Sequence, residues 1–335
     1  MSVDVEDSGI HQDIDTPADL RLTPSGKYSK TAQIEPSAAD NAHPVDEGEL
    51  PMSVAQRVFH GNFGRVALLN MNKPLVMHTH SECHVLVKVA GDDTFFNVRG
   101  RQVPLTDRNV VLVNAWEPHY FDYQAGAGNT LILALYIEPA WLATAQQSLA
   151  LSSRPDFFAQ SSMELNTQNR NLADRLIAEM HSPGLVPQER IEFYLFDFLI
   201  QLIEDSSQWR HLCRMGVRTI NDYRDARVRK GTDYLLNHLD DPAPIDNAAK
   251  SCGLSRAHFY SLFRKDTGMT PNLLLNAARM RRAFSWLDSE RSGTLGLLSE
   301  SLGFSEQGHF TRFFKHHIGA SPSQYQRVVD SYPHS

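Results

Sequence analysis

The chain has 335 residues, which exceeds what one ordinary hydrophobic core holds and predicts two folded domains with connecting segments. Its 41% hydrophobic and 21% charged residues indicate a soluble globular protein, and no apolar run reaches the roughly 18 residues of a membrane span. The acidic N-terminus lacks the pattern of an export signal, so a cytoplasmic location is expected. The three cysteines are scattered without a CxxC spacing, which disfavours a disulfide framework and a thiolate zinc site.

The formal net charge of −7 is unevenly distributed along the chain. Residues 224–327 carry 15 Lys and Arg against 10 Asp and Glu, whereas residues 1–223 carry 17 against 28. Because Lys and Arg neutralise phosphates, a basic C-terminal third favours a nucleic-acid-binding module. A solvated helical surface gives similar counts, so the charge alone leaves both interpretations open.

The first 50 residues are acidic and poor in large apolar groups, and they are predicted to be a disordered tail. Across residues 51–140 the pattern changes to short apolar or alternating runs, such as 85–89, 110–113 and 131–136, separated by glycine-containing turns. Turn signals at that regular spacing predict an antiparallel β-sandwich or β-barrel.

Residues 141–223 are predicted to form a helical linker, because apolar residues recur at helical spacing in residues 172–180 and 191–202. The second apolar stripe has two interpretations. It is either a self-association surface that gives a homodimer, or a face that packs on its own domain.

Residues 224–327 are divided by glycine and proline into about seven short helices, and they contain an internal repeat. Each copy has a Gly-X-Ser turn, two phenylalanines four residues apart, a second glycine, and a proline after Ser or Thr. The members are Gly253, Ser255, Phe259, Phe263, Gly268 and Pro271 in the first copy, and Gly303, Ser305, Phe310, Phe314, Gly319 and Pro322 in the second.

Each element of this repeat suits a pair of helices joined by a tight turn. The first glycine allows the positive φ that ends one helix, and the serine is a good N-cap for the next helix. Phenylalanines four apart share one buried face, the second glycine ends the helix, and the proline begins another. The repeat therefore predicts two helix-turn-helix units, which is an arrangement that reads DNA.

The strings LFRKDTGMTP at 262–271 and SLGFSEQGHFTRFFKHHIGASPSQYQ at 301–326 resemble the DNA-binding signature of the AraC/XylS family of transcription regulators. The resemblance covers residues 224–327 and implies two units bridged by a long helix over about 271–288. It also implies a sequence-specific regulator of double-stranded DNA, usually an activator that contacts RNA polymerase.

A recognition helix reads base edges with the outward residues near its N-terminus. Excluding the phenylalanines leaves Arg256, Ala257, Tyr260 and Ser261 in the first unit, and Gln307, Gly308, Thr311 and Arg312 in the second. Arg312 is the leading base-reading candidate, since a guanidinium can bond both O6 and N7 of guanine. A phosphate contact is the alternative for Arg312, and Lys315 is expected at phosphate.

Several histidines of the N-terminal half resemble the two motifs of cupin barrels, with His84 in place of the usual glutamate. Residues 78–84 resemble the first motif and residues 114–119 the second. The resemblance implies an effector pocket lined by His78, His80, His84, Trp116 and His119. Convergent imidazoles also suit a divalent metal ion, with His78, His80, His84 and His119 as its ligands. Regulators of this family commonly bind a small effector there and no metal, so effector pocket, metal site and plain barrel packing all stay open.

The expected fold class is a multidomain α+β protein with a cupin-like β-barrel, a helical linker and an all-α double helix-turn-helix domain. The expected function is DNA-binding regulation controlled by a small effector. The alternative is a metal-dependent, dioxygenase-like cupin enzyme with a helical appendage, but no catalytic role explains the double recognition-helix signature. The effector, the operator, the target genes and the sign of control stay open.

Overall fold

The computed structural model describes residues 54–124, 126–207, 209–214, 225–289 and 293–332. The predicted acidic tail, residues 1–50, lies outside the described residues. Within those ranges, none of the helices is both long enough and apolar enough to cross a membrane.

Two β-sheets form the core of the N-terminal half. The larger sheet has the order β10 (Val329–Ser331), β1 (Val54–Gly61), β2 (Gly64–Met71), β8 (Thr130–Ile137), β3 (Cys83–Gly91), β6 (Asn109–Val113) and β9 (Ser162–Glu164). The smaller sheet has the order β5 (Arg101–Leu105), β4 (Thr94–Val98) and β7 (His119–Asp122). Neighbouring strands are antiparallel, except that β10 runs parallel to β1.

The predicted β-rich domain is confirmed, but the two sheets do not close into a barrel. They face each other across a shared apolar core in which Leu86 of β3 packs with Phe96 and Phe121 of the smaller sheet. The neighbouring side chains Val85 and Val87 lie in a second core on the opposite face of β3. Because successive side chains of a strand point to opposite faces, this continuous apolar strand is buried on both sides.

Helices cover the outer face of the larger sheet. They are α1 (Pro139–Ala145), a 3₁₀ helix (Gln147–Ser153), α2 (Thr167–Met180), α3 (Gln188–Ser206) and α4 (Trp209–Arg214). Leu195, Phe198 and Leu202 of α3 are fully buried in the same core as Val85. The apolar stripe of α3 therefore packs on its own domain, which is the second of the two interpretations from the sequence.

The C-terminal part has seven helices within the described residues, as predicted. They are α5 (Ala226–Asn237), α6 (Pro244–Ser251), α7 (Arg256–Thr267), α8 (Pro271–Ser289), α9 (Leu295–Ser301), α10 (Gln307–Ile318) and α11 (Pro322–Val328). Gly268 and Gly319 end α7 and α10 with φ of 78° and 79°, which only glycine adopts at little cost.

The two repeat copies begin their second helices differently, and the prediction for Ser305 is wrong. Ser255 caps α7 by accepting a hydrogen bond from the backbone N–H of His258. The N-cap of α10 is Glu306, whose side chain makes no capping hydrogen bond, and Ser305 Oγ lies 3.3 Å from His309 Nδ1 instead. The extra residue in the second copy moves the serine one position away from the N-cap.

The second helix-turn-helix unit packs directly on the β-domain. Val58 and Ala67 of the larger sheet share a core with Phe310 and Phe314 of α10. Beyond α11 the chain adds β10 to the edge of the larger sheet, and the Tyr332 hydroxyl donates to the Val186 carbonyl at 2.7 Å. The two halves of the molecule are thus joined by a β-ladder and a common apolar core.

Candidate DNA interface and effector pocket

The first recognition helix, α7, presents its candidate residues to solvent while its phenylalanines face the core. Phe259 and Phe263 are fully buried, and their ring centroids lie 5.6 Å apart. One surface depression is lined by Arg256, Ala257, Tyr260, Ser261, Arg264 and Lys265. Arg256 Nη1 donates to Asp246 Oδ2 of α6 at 3.0 Å, so a carboxylate of the preceding helix orients this arginine.

The second recognition helix, α10, has the same arrangement. Gln307, Gly308 and Arg312 are exposed, and Thr311 and Lys315 are half-buried. Because Phe310 and Phe314 fix the inner face in the core, the outer face of α10 is held rigidly. All the DNA-binding candidates thus lie on outward or partly outward positions of the two recognition helices.

The histidine cluster lies where β3, β7 and the loop before β3 meet. An isolated bridge holds His78 beside His119, with His78 N donating to His119 O at 2.9 Å and His119 N donating to His78 O at 3.0 Å. Ring centroids are 4.3 Å apart for His78 and His119, and 4.9 Å apart for His80 and His119. One ring nitrogen from each of these three residues lies within 4.8 Å of the others.

Hydrogen bonds to backbone carbonyls fix the tautomers of these three imidazoles. Nδ1 of His78 bonds to Val76 O at 2.9 Å, and Nδ1 of His119 bonds to Glu117 O at 2.8 Å. Nδ1 of His80 bonds to Glu82 O at 3.0 Å. Because a carbonyl oxygen only accepts, each Nδ1 carries the proton, and the lone pair of the neutral ring is on Nε2.

Burial keeps the cluster neutral at pH 7. It lowers the pKa of His78 to about 4, and it lowers the pKa of His80, His84 and His119 well below their ordinary value. Nearby positive charge adds to this, since the Arg65 guanidinium lowers the pKa of His78 further.

His84 lies behind the other three rings. It is 2% exposed, its ring stacks on Tyr136 with centroids 4.0 Å apart, and its Nδ1 lies 3.3 Å from His119 Nε2. The structure thus groups His78, His80 and His119, and places His84 next to this group as a neighbour of His119.

A cavity of approximately 470 Å³ lies between the β-domain and the helical domain. His78, His80 and Trp116 line it from the β-domain, and residues of α8 and α10, including Arg281 and His317, line it from the other side. His84 and His119 do not line the cavity within the described residues but lie behind its wall, at 2% and 0% exposure.

Trp116 is held in an unusual conformation at the cavity wall. Its φ of 62° is in the left-handed region, which a bulky side chain rarely adopts, and its backbone N–H donates to His80 O at 2.7 Å. Such strain is often found at ligand sites.

Arg65 joins the two sides of the cavity. Its guanidinium carbon lies 3.8 Å from the ring centroid of Tyr136 in β8 and 3.9 Å from that of Phe284 in α8. Arg281 of α8 donates to Ser81 Oγ, and Val76 N donates to His316 O at 3.2 Å. The sequence carries no local signal for Arg65, Arg281 and His317 as cavity residues, because only the packing of the two domains brings them together.

Two family models match the chain. A helix-turn-helix domain model matches residues 248–328, and the model of the AraC-like ligand binding domain matches residues 74–199. The chain belongs to the AraC family of transcription regulators. The ligand-binding model includes the histidine cluster and α2, as well as most of α3.

The curated relatives of this AraC-family chain are transcription regulators. An uncharacterized HTH-type transcriptional regulator of Haemophilus influenzae is 22% identical over 92% of this chain and 93% of its own length. The arabinose operon regulatory protein of Salmonella typhimurium is 26% identical over 69% of this chain and 78% of its own length. Among solved structures, ToxT from Vibrio cholerae with bound unsaturated fatty acid gives a TM-score of 0.49 at 13% identity, covering 80% of this chain and 96% of ToxT.

The AraC-family chain is a DNA-binding transcription regulator with an N-terminal effector-binding domain and a C-terminal helix-turn-helix domain. The regulator interpretation from the sequence is confirmed. The chain is not an enzyme, so the alternative of a metal-dependent dioxygenase is discarded.

Proposed function

We propose that the effector of this regulator binds in the cavity between the two domains and thereby changes how the second helix-turn-helix unit meets DNA. The observation that carries the proposal is the composition of the cavity wall. His78, His80 and Trp116 of the effector-binding domain face Arg281 and His317 of the DNA-binding domain across it.

A ligand shifts an equilibrium between two states only if it binds them with different affinity. An effector that contacts both walls meets this condition, because a rotation of one domain against the other would change its contacts with at least one wall. The cavity is also large enough for a small molecule, at approximately 470 Å³, and it combines aromatic faces with a few polar groups.

On the DNA side, we infer that Arg312 reads a guanine and that Lys315 contacts phosphate. An exposed guanidinium at the outer face of a rigid recognition helix supports the first role, and a lysine one turn further along supports the second. The outward residues Arg256, Ala257, Tyr260 and Ser261 of α7, with Gln307, Gly308 and Thr311 of α10, complete the proposed interface.

Activation of transcription through RNA polymerase and a homodimer follow from the family resemblance and stay predictions. The cytoplasmic location that the sequence leads us to expect also stays a prediction. A reporter gene placed behind a selected operator gives the sign of control. Sedimentation of the full chain gives its oligomeric state.

Arg65 contacts both domains, so a variant at this position tests whether contacts at the cavity influence DNA binding. This test needs no effector. Arg65→Ala removes the group between Tyr136 and Phe284, so we expect the affinity for a duplex selected from random DNA to change by about fivefold or more, a common size of allosteric coupling. The measurement is fluorescence anisotropy with the full chain, with Arg101→Ala as the control, since Arg101 is an exposed arginine on β5.

Phe284→Leu, which alters the other side of the same contact, should shift duplex affinity in the same direction as Arg65→Ala. The double variant should show less than the sum of the two effects, because the residues share one interaction. Unchanged affinity in both variants, with circular dichroism and unfolding midpoint retained, would contradict the proposed coupling.

A further inference from the structure

We infer that residues 329–332 are a clasp that holds the second helix-turn-helix unit on the β-domain, and that this clasp opens when the chain binds DNA. The inference goes beyond the proposed function, because it needs no effector and concerns the edge of the larger sheet. It is carried by the strand pairing of the clasp, by its buried tyrosine and by its side-chain bonds to both domains.

The clasp continues the last helix of the second unit without a linker. Helix α11 ends at Val328, and β10 begins at Val329 as a parallel neighbour of β1. Tyr325 of α11 contacts Phe314 of α10, with ring centroids 5.9 Å apart, so α11 joins the clasp to the second recognition helix. A rotation of this unit away from the β-domain would therefore pull β10 from the edge of the sheet.

Tyr332 anchors the clasp in the core of the β-domain. It is 8% exposed, and its ring stacks on Phe59 and lies edge-on to Phe63, with centroids 5.8 Å and 6.3 Å away. Its hydroxyl donates to Val186 O, and its backbone N–H donates to His60 O at 2.8 Å. A buried aromatic ring with a satisfied hydroxyl gives this short segment its main apolar contact.

Ser331 points to the opposite face of the sheet, where it contacts α8 of the DNA-binding domain. Its Oγ donates to Asp288 Oδ1 at 3.1 Å, and the other carboxylate oxygen of Asp288 pairs with Nδ1 of His60 in β1. Asp330 accepts two hydrogen bonds from the Arg57 guanidinium of β1, at 3.0 Å and 3.2 Å. The side chains of the clasp thus bond to both domains.

The clasp and the cavity share one row of side chains across the larger sheet. Ser331 is the register partner of His60, and His60 is the register partner of Arg65, which lines the cavity. Register partners point to the same face of a sheet, and α8 covers this face with Phe284 against Arg65 and Asp288 against His60. A displacement of α8 at the cavity would therefore also change the contacts of the clasp.

The two helix-turn-helix units differ in how they are attached to the β-domain. Within the described residues, the buried members of the first unit's core all belong to the DNA-binding domain. The second unit shares its core with Val58 and Ala67 of the larger sheet and is also held by the clasp. Two recognition helices must fit successive grooves together, and a unit held on the β-domain cannot adjust to the duplex. The closed clasp therefore lowers DNA affinity.

The size of the clasp suits a contact that opens. A three-residue strand at a sheet edge has few ladder hydrogen bonds, and Ser331 is exposed while Val329 and Asp330 are half-buried. Segments with few buried contacts open at a small fraction of the free energy of global unfolding. DNA binding can therefore open the clasp without unfolding the β-domain.

The first test is the affinity of the full chain for a duplex selected from random DNA, measured by fluorescence anisotropy. Tyr332→Ala removes the anchor and should raise this affinity by about fivefold or more, a common size of coupling between sites. Asp330→Asn combined with Ser331→Ala weakens the side-chain bonds but leaves the core intact, so it should raise affinity by a smaller factor. Leu176→Ala is the control, since Leu176 is fully buried in the same core on α2, and its truncation should not raise affinity.

The second test is hydrogen exchange of residues 329–332 in the wild type, with and without the same duplex. In the free chain the Tyr332 N–H is bonded to His60 O, so its exchange should be slow. Saturation with the duplex should speed exchange of the clasp severalfold, while the central strand β8 stays protected.

Circular dichroism and the unfolding midpoint show which variants are folded, and the double variant and the exchange measurement carry the test if Tyr332→Ala does not fold. The inference is overturned if the folded clasp variants bind the duplex no better than the wild type, or if the duplex leaves exchange of the clasp slow. None of these variants alters a residue of the cavity wall, so a negative result leaves the Arg65 test of domain coupling unaffected.

Discussion

Truncation of Phe310 to alanine should lower the free energy of unfolding by about 3–5 kcal/mol, the usual range for a buried phenylalanine. Phe310 has 0% exposure, and its ring centroid lies 5.8 Å from those of Phe304 and Phe314. Removing the ring would leave a cavity in a core that also contains Val58 of β1. The packing between the two domains would therefore be weakened as well.

Urea unfolding of the full chain, followed by tryptophan fluorescence and circular dichroism, measures this loss. Phe193→Ala is the control, because Phe193 is 62% exposed on α3 and its truncation should change stability by no more than about 0.5 kcal/mol. If the two variants lost equal stability, Phe310 would not anchor the second recognition helix.

Arg312→Ala should cost roughly 1–3 kcal/mol of binding free energy on the cognate duplex and relax the preference for guanine at one position. Arg312 is exposed on the outer face of α10, where Phe310 and Phe314 hold the helix in place. Anisotropy titrations against the selected site and its single-base variants measure both effects.

Arg312→Lys separates base reading from a phosphate contact. Lysine keeps the positive charge but lacks the forked guanidinium, so the affinity for non-specific DNA should persist while discrimination falls. Arg101→Ala on β5 serves as the control for the loss of one surface charge and should leave the preference intact. Unchanged discrimination at every base position in Arg312→Ala would assign this residue to phosphate.

The features that sequence predicted are local in the chain. The glycine turns, the phenylalanine pairs and the prolines act within one or two helical turns, so their spacing alone predicts the helix-turn-helix units. Ser305 shows the limit of that reasoning, since one inserted residue displaced it from the N-cap to a contact with His309.

The features that sequence missed depend on contacts between distant segments. Arg65 contacts Phe284 across more than 200 residues of chain, and no periodic pattern predicts a half-buried guanidinium between two rings. The parallel pairing of β10 with β1 could not be predicted from the sequence either, because a three-residue strand is too short to show a recognisable alternation of apolar and polar residues. The histidine cluster was visible in the sequence, but its position against the DNA-binding domain was not.

We propose that the two recognition helices of this interface, α7 and α10, read DNA side by side in successive turns of the major groove. Guanine-methylation interference combined with hydroxyl-radical footprinting on the selected duplex measures where the two helices contact DNA. We expect two patches on one face of the duplex, about 34 Å apart, and loss of the methylation interference at one guanine of the α10 patch in Arg312→Ala. A single patch, or two patches that Arg312→Ala leaves unchanged at every guanine, would show that α7 and α10 do not read DNA in this way.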